Sequence, residues 1–287
     1  MAQVTVLGIA QDGGRPQAGC TLPCCQHLSL EDERHPVSLS LVDKQGRNHL
    51  FDISRALSYQ LRFIEHQFPT NVWITHAHFG HIDGLGLLGK ETMGLNGIHL
   101  HASASFIDLI GQHPFWNTMV AEGTLLVHEY QGSQRYDVDG HTSVTPLSIP
   151  HRAELSDMHG FVIKSHQSLL FLPDHDSWKA TLDHVGYANP REWFQALNVD
   201  IVLIDGTFWD ENELPLRDMK AIPHPTVIET LERLGPRQDN DPELYFLHLN
   251  HTNPLHSINS EQASHVRSMG WGIAHEGMRF NLHEPRK

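Results

Sequence analysis

Short β-branched or apolar runs recur along the chain, each bounded by polar or turn residues: VTVLGIA, HPVSLSLVD, NHLFDIS, NVWITHAH, GIHLHAS, SVTPLSIP, GFVIKS, SLLFLPD, VDIVLIDG and LYFLHLN. Runs of this length and composition read as strands. Helical periodicity lies between some of them, in RALSYQLRFIEHQ, GLGLLGKETMG, REWFQAL, HPTVIETLERLG and NSEQASHVRSMG. Strands outnumber helices and come partly in series, partly in alternation with them. That pattern predicts an α/β (α+β) chain with two sheets and helices on their outer faces. No internal repeat or low-complexity linker interrupts it, so a single domain is expected over residues 1–287. A chain of that length can bury its apolar surface without disulfide staples.

Several of these runs stop on a residue able to do chemistry. Asp52 ends HLFD, His76 and His78 follow VWIT, His151 follows LSIP, Asp174 follows LLFLP, Asp205 ends IVLI and His248 follows LYFL. Loops at strand ends are where rigid scaffolds present catalytic groups. The chain holds 24 histidines, and 34 acidic against 20 basic residues. No Lys/Arg run gives the footprint of a nucleic-acid binder, so nucleic acid is not an expected partner, although a compact phosphate pocket is left open. No apolar window reaches the length of a membrane span, and MAQVTVLGIAQDGG reads as a strand and a glycine turn rather than a signal peptide. The expectation is a cytoplasmic protein acting on a small molecule, with no membrane partner; the chain does not specify its oligomeric state. Gln11 and Asp12 lie in AQDGGRPQAG, from which either could reach the strand-end residues as part of the pocket, although the glycines first of all suit a tight turn; no G-K-[ST] follows, so it is no phosphate-binding loop.

In THAHFGH, His76 and His78 point the same way on extended backbone, and a following turn brings His81 toward them. Converging imidazoles favour a transition metal over magnesium or calcium. The segment resembles the metallo-β-lactamase superfamily, whose pattern is T-H-x-H-x-D-H before a glycine-rich helix start. The resemblance continues in order through LFD at Asp52, PHR at His151, LPD at Asp174 and LHLNH at His248. It implies an αββα sandwich with metals at one edge. His76, His78 and His151 would hold a first ion, with Asp174 bridging to a second held also by His81 and His248. The family's aspartate would stand at position 80, where this chain has Gly80. Asp83 is the nearest substitute in sequence, either a ligand or an ordinary first-turn residue of a helix. Loss of that carboxylate predicts a weaker second ion, a single-metal site, or a preference for a different ion such as iron.

Cys20, Cys24 and Cys25 fall within six positions, which suits metal ligation better than disulfide pairing. GCTLPCC resembles the G-C-x-C-x-x-C of two branches of the superfamily, the PqqB proteins of coenzyme PQQ synthesis and the PhnP-type phosphodiesterases, with the middle cysteine falling on Leu22. The PhnP-type pattern implies a structural zinc of Cys20, Cys24, Cys25 and His251; adjacent Cys24 and Cys25 need a kinked backbone to share an ion, with His27 as a substitute ligand. The C-terminal half, with DGTFW, NTNP and HEGM, resembles the PqqB branch, although that branch carries a run closer to S-x-I-D-H-T-x-G-L where this chain keeps three histidines. Asp205, Trp209, Arg152, Glu154, His159 and His224, the last held between two prolines, are further candidates for the pocket, with Asp205 also a partner for a metal-bound histidine.

Zinc at His76, His78, His151 and Asp174 would activate water to hydrolyse an ester, lactone, amide or phosphodiester, with Asp174 and His248 as catalytic ligands. The PqqB resemblance implies an alternative, iron on the same ligands activating O₂ to hydroxylate an aromatic or peptide substrate. A third reading is a non-catalytic carrier that kept the fold.

Overall fold

The computed structural model describes residues 2–214, 219 and 222–284. Two seven-stranded sheets carry the chain. In the first, the spatial order is β14 (Arg279–Asn281), β1 (Gln3–Gly8), β2 (Ser38–Val42), β3 (Asn48–Phe51), β4 (Pro69–Trp73), β5 (Ile98–Ala102) and β6 (Leu125–Glu129). In the second it is β13 (Gly272–Ile273), β12 (Glu243–Leu247), β11 (Ile201–Asp205), β10 (Ser168–Leu172), β9 (Met158–Lys164), β8 (Ser143–Ile149) and β7 (Tyr136–Asp137). The ten strand-like runs of the sequence are all strands.

The pairing directions decide where the chemistry falls. β1 is antiparallel to β2 and β2 to β3, while β3 and β4 are parallel, so β1, β3 and β4 all end at one edge. β8 is antiparallel to β9 and β9 to β10, while β10, β11 and β12 are parallel, so β8, β10, β11 and β12 also share an edge. The residues just past these strands meet between the two sheets.

Alternation along the first sheet sorts its side chains. Val4, Val6, Phe51 and Trp73 join the core shared with the second sheet, whereas Leu7, Leu50, Val72 and Ile74 join a separate cluster under the outer helices. α3 (Ala104–Gln112) and α4 (Pro114–Ala121) cover that outer face with Phe106, Ile110 and Met119. Strand β10 is buried along its whole length because the second sheet is covered too, by α5 (Trp178–Val185), α6 (Pro190–Leu197), α7 (Val227–Leu234) and α8 (Glu261–Ser268). Each of these four starts on a side-chain cap: Ser177, Asn189, Thr226 and Ser260 accept from the amide three residues on. The layering is the αββα sandwich expected.

Two expected helices differ. GLGLLGKETMG forms only a 3-10 turn, Leu85–Leu88, because Gly89 leaves it on extended backbone and Gly94 follows at φ 61°. RALSYQLRFIEHQ breaks after one α turn, α1 (Leu57–Gln60), into a 3-10 turn that ends on left-handed Glu65. Helices α3 and α4 escape the period because Pro114 divides the stretch into two short pieces.

Phe51 joins the sheets: its ring lies 6.2 Å from Trp73 on its own sheet and 5.3 Å from Phe161 on the other. Phe51→Ala is expected to lower the unfolding free energy by about 3–5 kcal/mol in urea titration; a loss under about 1 kcal/mol would show that the sheets do not depend on this contact.

Candidate metal centre

The site starts from a buried carboxylate. Past β3 the chain turns sharply at Asp52, with φ 60°, in the left-handed region. A non-glycine residue is held there only by surrounding contacts. The Asp52 carboxylate is wholly buried and accepts from the Thr75 amide at 2.8 Å, the Thr75 hydroxyl at 2.9 Å and His81 Nδ1 at 2.6 Å. Having given its one proton to Asp52, the Thr75 hydroxyl accepts from His76 Nδ1 at 2.9 Å. Both imidazoles thus carry a proton on Nδ1, and each turns its Nε2 toward the cluster, that of His76 without a hydrogen-bond partner and that of His81 3.1 Å from Asp174 Oδ2.

The second sheet repeats the device. Asp205 ends β11 fully buried and accepts from the Thr207 hydroxyl at 2.7 Å and from His224 Nδ1 at 2.7 Å. The Thr207 hydroxyl accepts from His248 Nδ1 at 2.9 Å, and His248 also sits at positive φ, 59°. His151 Nδ1 lies 3.0 Å from Asp176. Sequence reading missed Thr75, Thr207 and Asp176; the two threonines stand inside THAH and DGT, beside residues it did single out.

The donor atoms converge. His78 Nδ1 and His151 Nε2 are 3.3 Å apart, and His76, His78 and His151 each bring one ring nitrogen to within 4.8 Å of the others. Asp174 Oδ2 is 3.1 Å from His81 Nε2, 3.4 Å from His248 Nε2 and 3.9 Å from His76 Nε2; Oδ1 is 3.9 Å from His151 Nε2 and 3.7 Å from His224 Nδ1. Ligands of a tetrahedral ion with bonds of about 2.0–2.1 Å stand about 3.3–3.4 Å apart. His76 Nε2, His248 Nε2 and Asp174 Oδ2 are buried with no hydrogen-bond partner, an arrangement that costs free energy unless a cation meets them. The donor set therefore fits a divalent metal.

Charge is tuned to match. Burial, then the neighbouring His81, pushes His76 well below the usual imidazole range, and burial also lowers His248, so both are neutral ligands in waiting. Burial alone would raise Asp174, but His248, His81 and His151 outweigh it and hold the carboxylate ionised. For His81, burial is overcome by Asp52 and Asp174, which lift it well above its ordinary value. A metal ion must displace the proton it would otherwise carry on Nε2.

Cys20, Cys24, Cys25 and His251 also come together within 4.8 Å. Turns over residues 22–27 supply the kink that lets adjacent cysteines share a point: the Cys25 and Gln26 amides both donate to Leu22 O. Cys24 Sγ and Cys25 Sγ are 4.0 Å apart and lie 3.5 and 3.4 Å from His251 Nδ1. Edges of a tetrahedral ion with sulfur and nitrogen ligands are about 3.8 and 3.6 Å. Burial and the neighbouring Cys25 and Cys20 push Cys24 up to about 12, so three thiolates coexist here only around a cation. Leu22 and His27 are exposed and outside this group.

Asp83 is not brought to the cluster: Arg55 takes both its oxygens, through its amide at 2.6 Å and Nη1 at 2.5 Å. Asp83 stands just past the short helix α2 (Phe79–Ile82), and Arg55, on the loop after β3, draws its carboxylate to itself and away from the histidines. Asp12, on the loop after β1, does arrive, 3.6 Å from His81 Nε2. Arg152 and Glu154 stand at the rim, Glu154 3.3 Å from His78 Nε2. His159 packs against Tyr130, away from the cluster, and Trp209 against His265. Beside the cluster opens a cavity of about 770 Å³ whose wall includes His224, Asp176 and Thr226.

Residues 49–249 match the Beta-lactamase superfamily domain, and the chain belongs to that family. It is 25% identical over 316 residues to coenzyme PQQ synthesis protein B of Xanthomonas oryzae pv. oryzae (strain MAFF 311018), covering 98% of this chain and 100% of the relative. Among solved structures it is similar to Zn(2+)-bound PqqB from Methylobacterium extorquens, with a TM-score of 0.76 and 20% identity over 98% of this chain and 100% of that one. It is also similar to a diphosphatase from the PhnP family, with a TM-score of 0.70 and 19% identity over 98% of each chain. No helix among the described residues is long and apolar enough to cross a membrane.

Cys25→Ser is expected to release one equivalent of metal and lower the melting temperature by at least about 5 °C in calorimetry with parallel metal analysis. An unchanged metal content and melting temperature would mean that the cysteine group holds no ion.

Proposed function

We propose that the chain is a metal-dependent hydrolase whose first ion is held by His76, His78, His151 and Asp174, with a separate structural zinc at Cys20, Cys24, Cys25 and His251. The carrying observation is the set of buried donor atoms without partners, His76 Nε2, His248 Nε2 and Asp174 Oδ2, at the meeting edge of the two sheets. An ion bound there supplies Lewis acidity and lowers the pKa of water toward neutrality.

The chain's own residues do the remainder. Thr75 and Thr207 fix two imidazoles in the tautomer that ligates, and Asp52 and Asp205 hold them in orientation. The cavity beside the cluster is the approach for a small ester, lactone or phosphodiester, which meets His224 on its way in. His224 Nδ1 donates to Asp205, which fixes the ring at the wall of that cavity. The superfamily membership and the likeness to zinc-bound PqqB and to the PhnP-family diphosphatase support a hydrolytic metal centre.

The test is metal analysis of the purified protein, then turnover of a panel of esters, lactones and aryl phosphodiesters with zinc or with anaerobic Fe(II). Zinc-supported hydrolysis is expected, and His151→Ala should lower kcat/KM at least about 100-fold. Oxygen consumption with Fe(II) and no hydrolysis would replace this reading with the oxidative one, and binding without turnover under any metal would leave a carrier.

A further inference from the structure

Position 80 is where the family pattern places a metal-binding aspartate, and the structure shows what occupies that space instead. A Cβ built on Gly80 would stand 2.4 Å from the Cα of Asp12 and 2.6 Å from its Oδ1. No side chain fits there while Asp12 is in place. The Gly80 amide donates to Asp12 Oδ1 at 3.1 Å, so the missing side chain both makes room for the incoming carboxylate and gives it a hydrogen bond.

That carboxylate faces the half of the cluster formed by His81 and His248. Asp12 Oδ1 is 3.6 Å from His81 Nε2, and the donor atoms of Asp12, His81 and His248 all lie within 4.8 Å of one another. Asp174 Oδ2, 3.1 Å from His81 and 3.4 Å from His248, completes the group. Asp174 and His248 are each 1% exposed, and their facing atoms lack hydrogen-bond partners. These two orphaned atoms, independent of Asp12, mark the place where a ligand is wanted.

The loop that delivers Asp12 is anchored. Arg55 Nη2 donates to the Asp12 carbonyl at 2.7 Å, the Gln11 amide donates to Leu249 O at 3.0 Å, and Ala10 bridges both Pro36 and Leu249. Arg55 is the same residue that takes up Asp83, so one guanidinium removes the carboxylate near in sequence and fixes the one near in space.

We propose that Asp12 is the carboxylate ligand of a second metal ion, held with His81 and His248 and bridged to the first by Asp174. The ligand absent at position 80 is supplied from the loop after the first strand, and the centre is a two-metal one. This rests on the metal-centre reading above but not on the reaction: two ions without hydrolysis would overturn only the hydrolase, and hydrolysis with one ion only this assignment.

The test counts metal by equilibrium dialysis and mass spectrometry on the full chain and follows Co(II) spectra on titration. Asp12→Asn, nearly isosteric, is expected to weaken one active-site equivalent at least about 10-fold while the other and the cysteine-bound ion persist. Gly80→Asp alone collides with Asp12. Asp12→Gly combined with Gly80→Asp should restore the weakened equivalent. Unchanged metal count and affinity in Asp12→Asn, with its melting temperature intact, would overturn the proposal. So would a wild-type protein that saturates with a single active-site ion.

Discussion

The hydrogen bond of 2.6 Å between His81 Nδ1 and the buried Asp52 carboxylate is the contact on which the rest of the centre depends. A carboxylate with no water access carries a large desolvation cost, visible in the burial that pushes Asp52 above its usual range in spite of His81 and Thr75. The chain offsets that cost with two donors from Thr75 and one from His81, and each of those donors is itself a metal-facing residue or its neighbour. Stability of the carboxylate and orientation of the ligands are thus the same set of bonds. Asp205, with Thr207, His224 and His248, does the same for the opposite sheet.

The left-handed backbone at Asp52 and His248 belongs to this arrangement. Each stands immediately past a strand, at φ 60° and 59°, where a residue with a Cβ is disfavoured by about 1–2 kcal/mol. An extended continuation would carry the side chain along the strand direction, past the edge. The reversal turns it back into the space between the sheets, where Asp52 reaches Thr75 and His248 faces Asp174. The sheets, closed by Phe51, Trp73, Phe161 and Phe171, are rigid enough to hold that strain.

Much of this was legible from residues alone, for reasons that can be named. Strands of half-buried sheets announce themselves by short β-branched runs, and polar residues that follow such runs in register share an edge once the pairing directions agree. His76, His78, His81, His151, Asp174 and His248 are of that kind. Adjacent Cys24 and Cys25 looked unfavourable until the turn over residues 22–27 bent the backbone between them. Asp83 misled because proximity in sequence was read as proximity in space, although Arg55 lay 28 positions away and claimed it. Asp12 could be singled out only weakly, since its place follows from β1 lying two antiparallel pairings from β3, a fact of topology that no local pattern carries.

Gly80 shows how a motif position and its function come apart. The chemistry asks for a carboxylate oxygen at a point in space, and the chain can bring one from any loop that ends at that edge. A side chain grown from position 80 and one arriving from residue 12 exclude each other, because the added Cβ would lie 2.4 Å from the Asp12 Cα. The two solutions are therefore alternatives, and a departure from the pattern at one position is read correctly only after the volume it vacates has been examined. Here the vacated volume holds a carboxylate that accepts from the glycine's own amide, next to two buried atoms without partners. Loss of a residue from the motif is then no measure of loss of charge from the site.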